Sequence, residues 1–197
     1  MAIAEHAEPI TLFAQWYAEA ERCEGIDDHT ACALATAGAD GAPDVRMVLL
    51  KHYDARGFVF YTNLSSPKAR QLADNPSAAL CFYWMPLEKQ VRIRGRVEPA
   101  APEEADAYHA SRPRQSQLGA WASRQSQPLQ SRFALEKRIA KYVARFGLGK
   151  VPRPEFWSGF RLIPREIEFW VKQPYRLHDR LLYTCQETGW ATQRLYP

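Results

Sequence analysis

The spacing of apolar side chains changes period along the chain, and each change predicts a different element. Ile10, Leu12, Phe13, Trp16, Tyr17 and Ala20 recur at roughly helical spacing and Gly25 follows them, which predicts a first amphipathic helix. From Thr30 the texture shifts to short apolar or alternating runs punctuated by Asp40-Gly41 and by Asp54-Ala55-Arg56-Gly57. These read as strands near 31–37, 45–52 and 58–62 joined by hairpin turns. Ser65-Ser66-Pro67-Lys68 places a hydroxyl cap before a first-turn proline and so opens a short helix, which Asn75-Pro76 ends.

A strand is expected at about 78–84, with a turn at Pro86. In the next, Val91, Ile93, Gly95 and Val97 alternate with Arg92, Arg94 and Arg96 over 90–97. The arginine face of that half-buried strand must meet solvent or an anion. Pro102-Glu103-Glu104 suits the positive end of a helix dipole and opens a second helical region reaching about Ala110. A third runs from about Leu129 to Phe146, where Leu129, Phe133, Ile139, Val143 and Phe146 make an imperfect apolar stripe closed by Gly147. Beyond the loop Val151-Pro152-Arg153-Pro154, strands are expected at about 159–163, 166–171, 179–185 and 190–195. Strands and helices do not alternate regularly, so the pattern favours an antiparallel, barrel-like α+β architecture over a doubly wound parallel sheet.

Length and composition narrow this further. A chain of 197 residues, 46% of them hydrophobic, supports one substantial core and is expected to form a single domain over 1–197. No apolar run approaches the roughly 18 residues of a membrane span. The start, with His6 and two glutamates, does not resemble an export signal. Cys23, Cys32, Cys81 and Cys185 are scattered, which suits reduced thiols in the cytoplasm, and the five histidines show no metal-ligand spacing. A net charge of +4 points to a small anionic ligand more than to nucleic acid.

There is no dinucleotide fingerprint, and Gly147-Leu148-Gly149-Lys150 lacks both the spacing and the preceding strand of a phosphate loop. The first anion candidate is Arg46 and Lys51 followed by the Ser66/Lys68 helix start, where N–H groups, a hydroxyl and cations would converge. Taken alone it also reads as a capped helix beside surface cations. Arg46 and Lys51 are an odd number of residues apart and would point to opposite faces of a regular strand, so a bulge or a strand end is required. Tyr108 alone reads as a helix-face aromatic before it reads as a ligand, Arg112 also as a solvated loop cation, Trp157 and Trp170 also as core, and His178 alone as structural. Ser116 lacks the surroundings of a nucleophile.

Taken in order, several motifs resemble the pyridoxamine 5'-phosphate oxidase family: Arg46-Met47-Val48-Leu49-Leu50-Lys51-His52-Tyr53-Asp54, Phe58 to Asn63, Ser111 to Gln117, Gly119-Ala120-Trp121 and Ser123 to Ser126. Phe156 to Arg161, Ile167 to Trp170 and Arg176-Leu177-His178-Asp179-Arg180 continue the match, which covers roughly 10–197. The resemblance implies an antiparallel FMN-binding split β-barrel with peripheral helices, whose region from about 150 to 197 serves dimerisation and substrate binding. It assigns the flavin to the run Arg46, Met47, Val48, Leu49, Leu50 and Lys51, with Tyr61, Thr62, Lys68, Gln90, Gln125, Ser126, Trp170 and Arg180. It assigns the substrate phosphate to Lys51, Tyr108, Arg112 and Ser116, and the substrate ring to Arg176 and His178 as the catalytic pair.

The implied reaction is oxidation of pyridoxamine 5'-phosphate or pyridoxine 5'-phosphate to pyridoxal 5'-phosphate, with hydride passing to the flavin and oxygen as acceptor giving hydrogen peroxide. A homodimer with FMN at its interface is implied as well, with neither nucleic acid nor membrane as partner. Two departures stand out: Pro67 occupies a position where many members carry arginine, and the family's longer basic N-terminal extension is absent. The alternatives are a related FMN oxidase of another ring and a non-catalytic carrier of flavin or vitamin phosphate.

Overall fold

The computed structural model describes residues 3–197. Helix α1 (Pro9–Arg22) starts at a first-turn proline and buries Leu12, Phe13, Trp16 and Ala20, a single helical face. That face docks into the concave side of a curled sheet. Phe13 meets Phe58, Tyr53 and Phe82 edge-on at ring separations of 4.9, 5.0 and 5.4 Å, the arrangement that aromatic quadrupoles favour.

The sheet is antiparallel throughout. Its strands are β1 (Ala31–Ala37), β2 (Pro43–Leu49), β3 (His52–Asp54), β4 (Gly57–Asn63), β5 (Ser77–Trp84), β6 (Lys89–Pro99), β7 (Trp157–Val171), β8 (Asp179–Cys185) and β9 (Trp190–Arg194). They run in the order β2-β1-β5-β6-β7-β4-β3, and β8 and β9 branch from β7. Helix α2 (Pro67–Asp74) follows β4, while α3 (Pro102–Ser111), α4 (Arg114–Ala122) and α5 (Arg132–Phe146) lie between β6 and β7.

The branch has a local cause. β6 occupies one edge of β7 along almost its whole length, while the other edge pairs with β4 over Trp157–Leu162 and with β8 over Glu166–Val171. Between the halves, Pro164 has no N–H to donate and Arg165 is an extra residue, since Arg94 faces Glu166 and Gly95 faces Pro164. The expected strands at 159–163 and 166–171 are therefore one bulged strand that the sheet forks around.

Other expectations are corrected too. The strand expected over 45–52 ends at Leu49. Leu50 then donates its N–H to Thr30 O at 2.8 Å and Lys51 donates to Val59 O at 2.9 Å, so the chain crosses from β1 to β4 between them. That crossing removes the parity problem between Arg46 and Lys51. Helix α4 was not expected: its Gly119-Ala120 and Gln115-Ser116-Gln117 give no apolar period. Helix α5 begins at Arg132, where Ser131 Oγ accepts from Ala134 N at 3.2 Å, and leaves Leu129 outside. Its apolar stripe is not a core face, for Phe133 is 71% and Val143 46% exposed. The arginine face of β6 meets carboxylates: Arg92 pairs with Glu168 at 2.5 Å and Arg94 with Glu166 at 3.2 Å.

A charged network fastens α3 to the barrel. Buried Arg161 on β7 donates to Asp54 Oδ1 at 2.9 Å and to Glu104 Oε1 at 3.1 Å, and Arg56 reaches the same two carboxylates. Burial pushes the Asp54 carboxyl up, but hydrogen bonds from Arg56 and the charges of Arg161 and Arg56 together outweigh it and leave the group below its ordinary value. A carboxyl with a depressed folded-state pKa adds stability above its unfolded value, about pH 4, and loses it as pH falls through the folded value. Asp54→Asn should therefore melt lower than the parent at pH 6 and converge with it toward pH 3. Parallel melting curves over that range would remove this role from Asp54.

Candidate active site

A cleft of about 450 Å³ opens where the end of β2, the end of β4, the start of α2 and the α3–α4 turn converge. β2 and the crossing after it supply Met47, Val48, Leu49 and Lys51, β4 supplies Tyr61 and Thr62, and α2 supplies Lys68. The helical segment adds Tyr108, Arg112, Ser116 and Gln125. Eleven of the residues singled out from sequence thus line one cavity, although they span 47–125.

Lys68 is the best-defined group in it. Ser66 caps α2 by accepting from Ala69 N at 3.4 Å, and this short turn directs Lys68 inward, where it is 8% exposed. Its Nζ donates to Gln125 Oε1 at 2.9 Å and to Thr62 Oγ1 at 3.3 Å. Both partners are neutral. Burial lowers the Lys68 pKa, and the charge of Arg46 lowers it further against the opposing effect of Asp44. No ion pair to Lys68 is present among the described residues, so the ammonium is a buried charge that an incoming anion would balance.

Arg46 sits behind this group and does not line the cleft. It donates to Thr36 Oγ1 at 2.5 Å, Leu34 O at 3.2 Å and Gln71 Oε1 at 3.1 Å, and it pairs with Asp44. Its charge is already partly answered, yet its field reaches Lys68. Pro67 stands in the first turn of α2, where an arginine would add a third cation.

A second cationic wall rests on aromatic rings. Tyr61, Tyr108 and Trp157 cluster with nearly parallel rings, Tyr61 lying 4.2 Å from Tyr108 and 5.3 Å from Trp157, and Tyr108 6.1 Å from Trp157. The Arg112 guanidinium lies 4.8 Å from the centroid of Trp157, a cation–π contact. Burial lowers the Arg112 pKa, with Tyr108 opposing, and Arg112 NH1 is buried without a partner among the described residues. Among the described residues neither Arg112 nor Lys51 has an ion pair.

The remaining candidates lie elsewhere. Gln90, Trp170 and Arg180 form one row across β6, β7 and β8, and the His178 ring is 4.6 Å from that of Trp170. Arg180 Nε donates to Glu168 Oε1 at 2.8 Å, and its NH1 donates to Tyr196 O at 2.8 Å. Glu168, 4% exposed, therefore bridges Arg180 and Arg92. Arg176 follows Tyr175, and both adopt left-handed backbone, with φ of 62° and 58°. None of Gln90, Trp170, Arg176, His178 and Arg180 lines the cleft. Ser126, also left-handed at φ 66°, directly follows the cleft residue Gln125, and Leu50 is buried in the core. The structure thus gathers the candidates into a cleft and a separate row on the sheet.

Sequence reasoning left Asn63, Gly119, Ala120, Ser123 and Trp157 without a role, and all five line the cleft. Their only signal in the sequence is their place inside the ordered motifs that carry the family resemblance. Two cation groups without carboxylate partners among the described residues, with a wall of stacked rings between β4 and α3, suit a planar ligand carrying phosphate.

Comparison with known proteins agrees with this chemistry. Residues 18–145 match the family model described as pyridoxamine 5'-phosphate oxidase, and residues 157–197 match the pyridoxine 5'-phosphate oxidase C-terminal dimerisation region. A pyridoxine/pyridoxamine 5'-phosphate oxidase of Maricaulis maris is 60% identical over 99% of this chain and 88% of its own length. Its counterpart in Mesorhizobium japonicum is 55% identical over 98% of this chain and 94% of its own. Among solved structures, PhzG from Burkholderia lata in complex with tetrahydrophenazine-1-carboxylic acid superposes with a TM-score of 0.91 at 35% identity, covering 98% of this chain and 94% of that one. A pyridoxamine 5'-phosphate oxidase-related, FMN-binding protein from Nostoc punctiforme shares the fold, with a TM-score of 0.77 at 17% identity and full coverage of both chains.

Proposed function

The chain belongs to the pyridoxamine 5'-phosphate oxidase family of FMN-dependent oxidoreductases, and from that premise we propose that it oxidises pyridoxamine 5'-phosphate or pyridoxine 5'-phosphate to pyridoxal 5'-phosphate. Oxygen is the final acceptor in this reading, hydrogen peroxide the by-product, and the cytoplasm the place of work. The observation that carries it is a single cleft with two cation sets, Lys68 and the Lys51/Arg112 pair, that have no carboxylate partners among the described residues, matching one phosphate on the cofactor and one on the substrate. FMN supplies the redox step when bound, by accepting a hydride.

The chain's own residues bind and orient. Lys68, with Thr62, Gln125 and the α2 N-terminus, holds the FMN phosphate, and Arg46 reinforces it from behind. Lys51, Tyr108, Arg112 and Ser116 hold the substrate phosphate. Gln90, Trp170, Arg176, His178 and Arg180 act on the cleft of the partner subunit in a homodimer with FMN at its interface, which accounts for their separation from their own cleft. Arg176 and His178 position the substrate ring, and Arg180, steered by Glu168, places positive charge beside the flavin. Orientation and electrostatics of this kind need no strongly basic side chain.

The similarity to PhzG, whose ligand is a ring carboxylate, motivates the rival that the substrate is an unphosphorylated ring. Steady-state assays with pyridoxine 5'-phosphate and pyridoxine separate the two. The expected preference in kcat/KM for the phosphorylated form is roughly a hundredfold, the scale of two charge-assisted hydrogen bonds. Equal turnover of both forms favours the rival. Bleaching of the flavin band by pyridoxamine 5'-phosphate without oxygen tests the redox half-reaction directly, and a spectrum that stays unchanged speaks against it.

A further inference from the structure

Among the described residues two buried polar side-chain atoms lack hydrogen-bond partners, Nε2 of His109 and NH1 of the cleft residue Arg112, and the two residues are neighbours. They lie one helical turn apart at the end of α3, where Arg112 N donates to His109 O at 3.3 Å, and they address the same ring. His109 meets Trp157 edge-on at 5.3 Å and 71°, while Arg112 lies over its face. Buried polar atoms in native proteins are nearly always paired, so an orphan calls for an explanation. Here the orphans are complementary: a guanidinium nitrogen only donates, and the unprotonated nitrogen of a neutral imidazole accepts.

We propose that His109 is a positioning residue for Arg112, its Nε2 accepting from NH1 once an anionic ligand draws the guanidinium into its working orientation. This rests on the reading that Arg112 binds the substrate phosphate. Functional hydrogen bonds are often long in the free protein and tighten in the complex. The surroundings keep His109 in the required neutral form: it is 1% exposed, and burial, then Arg112 and Arg153, push its pKa down to about 4 against the weaker pull of Asp106. Arg153 is itself committed to Asp106 at 2.6 Å and to Trp157 O at 2.9 Å, so it does not compete for Nε2. In this arrangement Trp157 fixes the plane of the guanidinium and His109 fixes its rotation within that plane.

The test compares His109→Phe, which keeps a ring against Trp157 but has no acceptor, with His109→Gln, whose amide oxygen reaches the Nε2 position. In the FMN-loaded enzyme, H109F should raise KM for pyridoxine 5'-phosphate about tenfold, the scale of one hydrogen bond to a charged group. It should change kcat less than about twofold, and H109Q should recover most of the loss. Inorganic phosphate should bind more weakly to H109F by the same factor. Arg112→Ala serves as the control: if R112A raises KM and H109F does not, the role of His109 fails while the phosphate pocket stands. If R112A leaves KM unchanged, the pocket reading itself fails. Equal impairment in H109F and H109Q assigns His109 a packing role and overturns the proposal. A measurement independent of folding variants is the 15N resonance of His109 Nε2 in the parent enzyme, which should move upfield on saturation with phosphate, and an unmoved resonance also overturns it.

Discussion

Replacing Lys68 by methionine is expected to weaken FMN binding by roughly a hundredfold, the upper range for removing a charge-assisted hydrogen bond from a buried site. The expectation rests on how Lys68 is held. Its ammonium is buried, its two partners are the neutral Gln125 and Thr62, and among the described residues no carboxylate pairs with it. A charge in that position is costly until an anion arrives, so the substitution should remove affinity without removing stability. The apo variant should melt no lower than the parent, and quenching of flavin fluorescence on titration gives the dissociation constant. An unchanged constant would take Lys68 out of the cofactor site.

The sign of the pH dependence follows. Burial and Arg46 lower the Lys68 pKa, so the cation is lost at a lower pH than an ordinary lysine would lose it. FMN affinity should therefore begin to fall earlier on the alkaline side than expected for a lysine at about 10.4, and K68M should lack that limb.

The second large effect concerns the fork in the sheet. A Cβ on Gly95 would stand 1.9 Å from Ile163 O and 2.8 Å from Ile163 C, both backbone atoms of the strand it pairs with. No rotamer change relieves a backbone clash, so Gly95→Ala forces β6 and β7 apart at the bulge. The expected cost is about 3 kcal/mol or more, which for a domain of this size lowers the melting temperature by about 10 °C. Gly41 serves as a control for glycine loss without a clash, since nothing lies within 4 Å of a Cβ there, although its φ of 74° carries its own strain. A G95A protein that melts with the parent would mean that the fork tolerates separation.

Failure at Gly95 would reach the row of Gln90, Trp170 and Arg180, proposed above to face the flavin, as well. The same bulge sets the register by which Arg92 meets Glu168 and Glu168 meets Arg180. A shift of one residue would turn these side chains to the other face of the sheet. Cofactor affinity should fall in G95A even in the fraction that remains folded.

Much of the fold was legible in the chain. The α1 stripe, the Ser66-Pro67 helix start and the alternation over 90–97 each carry a local signal, and each element formed where its signal stood. Helix α4 carried none, because its polar and small residues face a cleft and its identity depends on what it packs against. The break after Leu49 was invisible for a similar reason: Leu50 and Lys51 leave the strand to pair with Thr30 and Val59, partners 20 and 8 residues away.

The candidate site divided in the same way. Ordered motifs alone were enough to nominate Lys51, Lys68, Tyr108, Arg112, Ser116 and Gln125, while side-chain chemistry alone left each cation readable either as an anion ligand or as a solvated surface charge. Which cations remain available was decided only by the folded chain. Arg92 is engaged by Glu168 because the β6–β7 register places that carboxylate beside it, and Arg46 by Asp44 two residues along its own strand, whereas Lys68 and Arg112 are buried against neutral amides and rings. The linear order determines which charges the chain carries and which local elements it prefers. Desolvation and long-range pairing, which exist only once β4, α2, α3 and β7 have come together, determine which of those charges are left to meet a ligand.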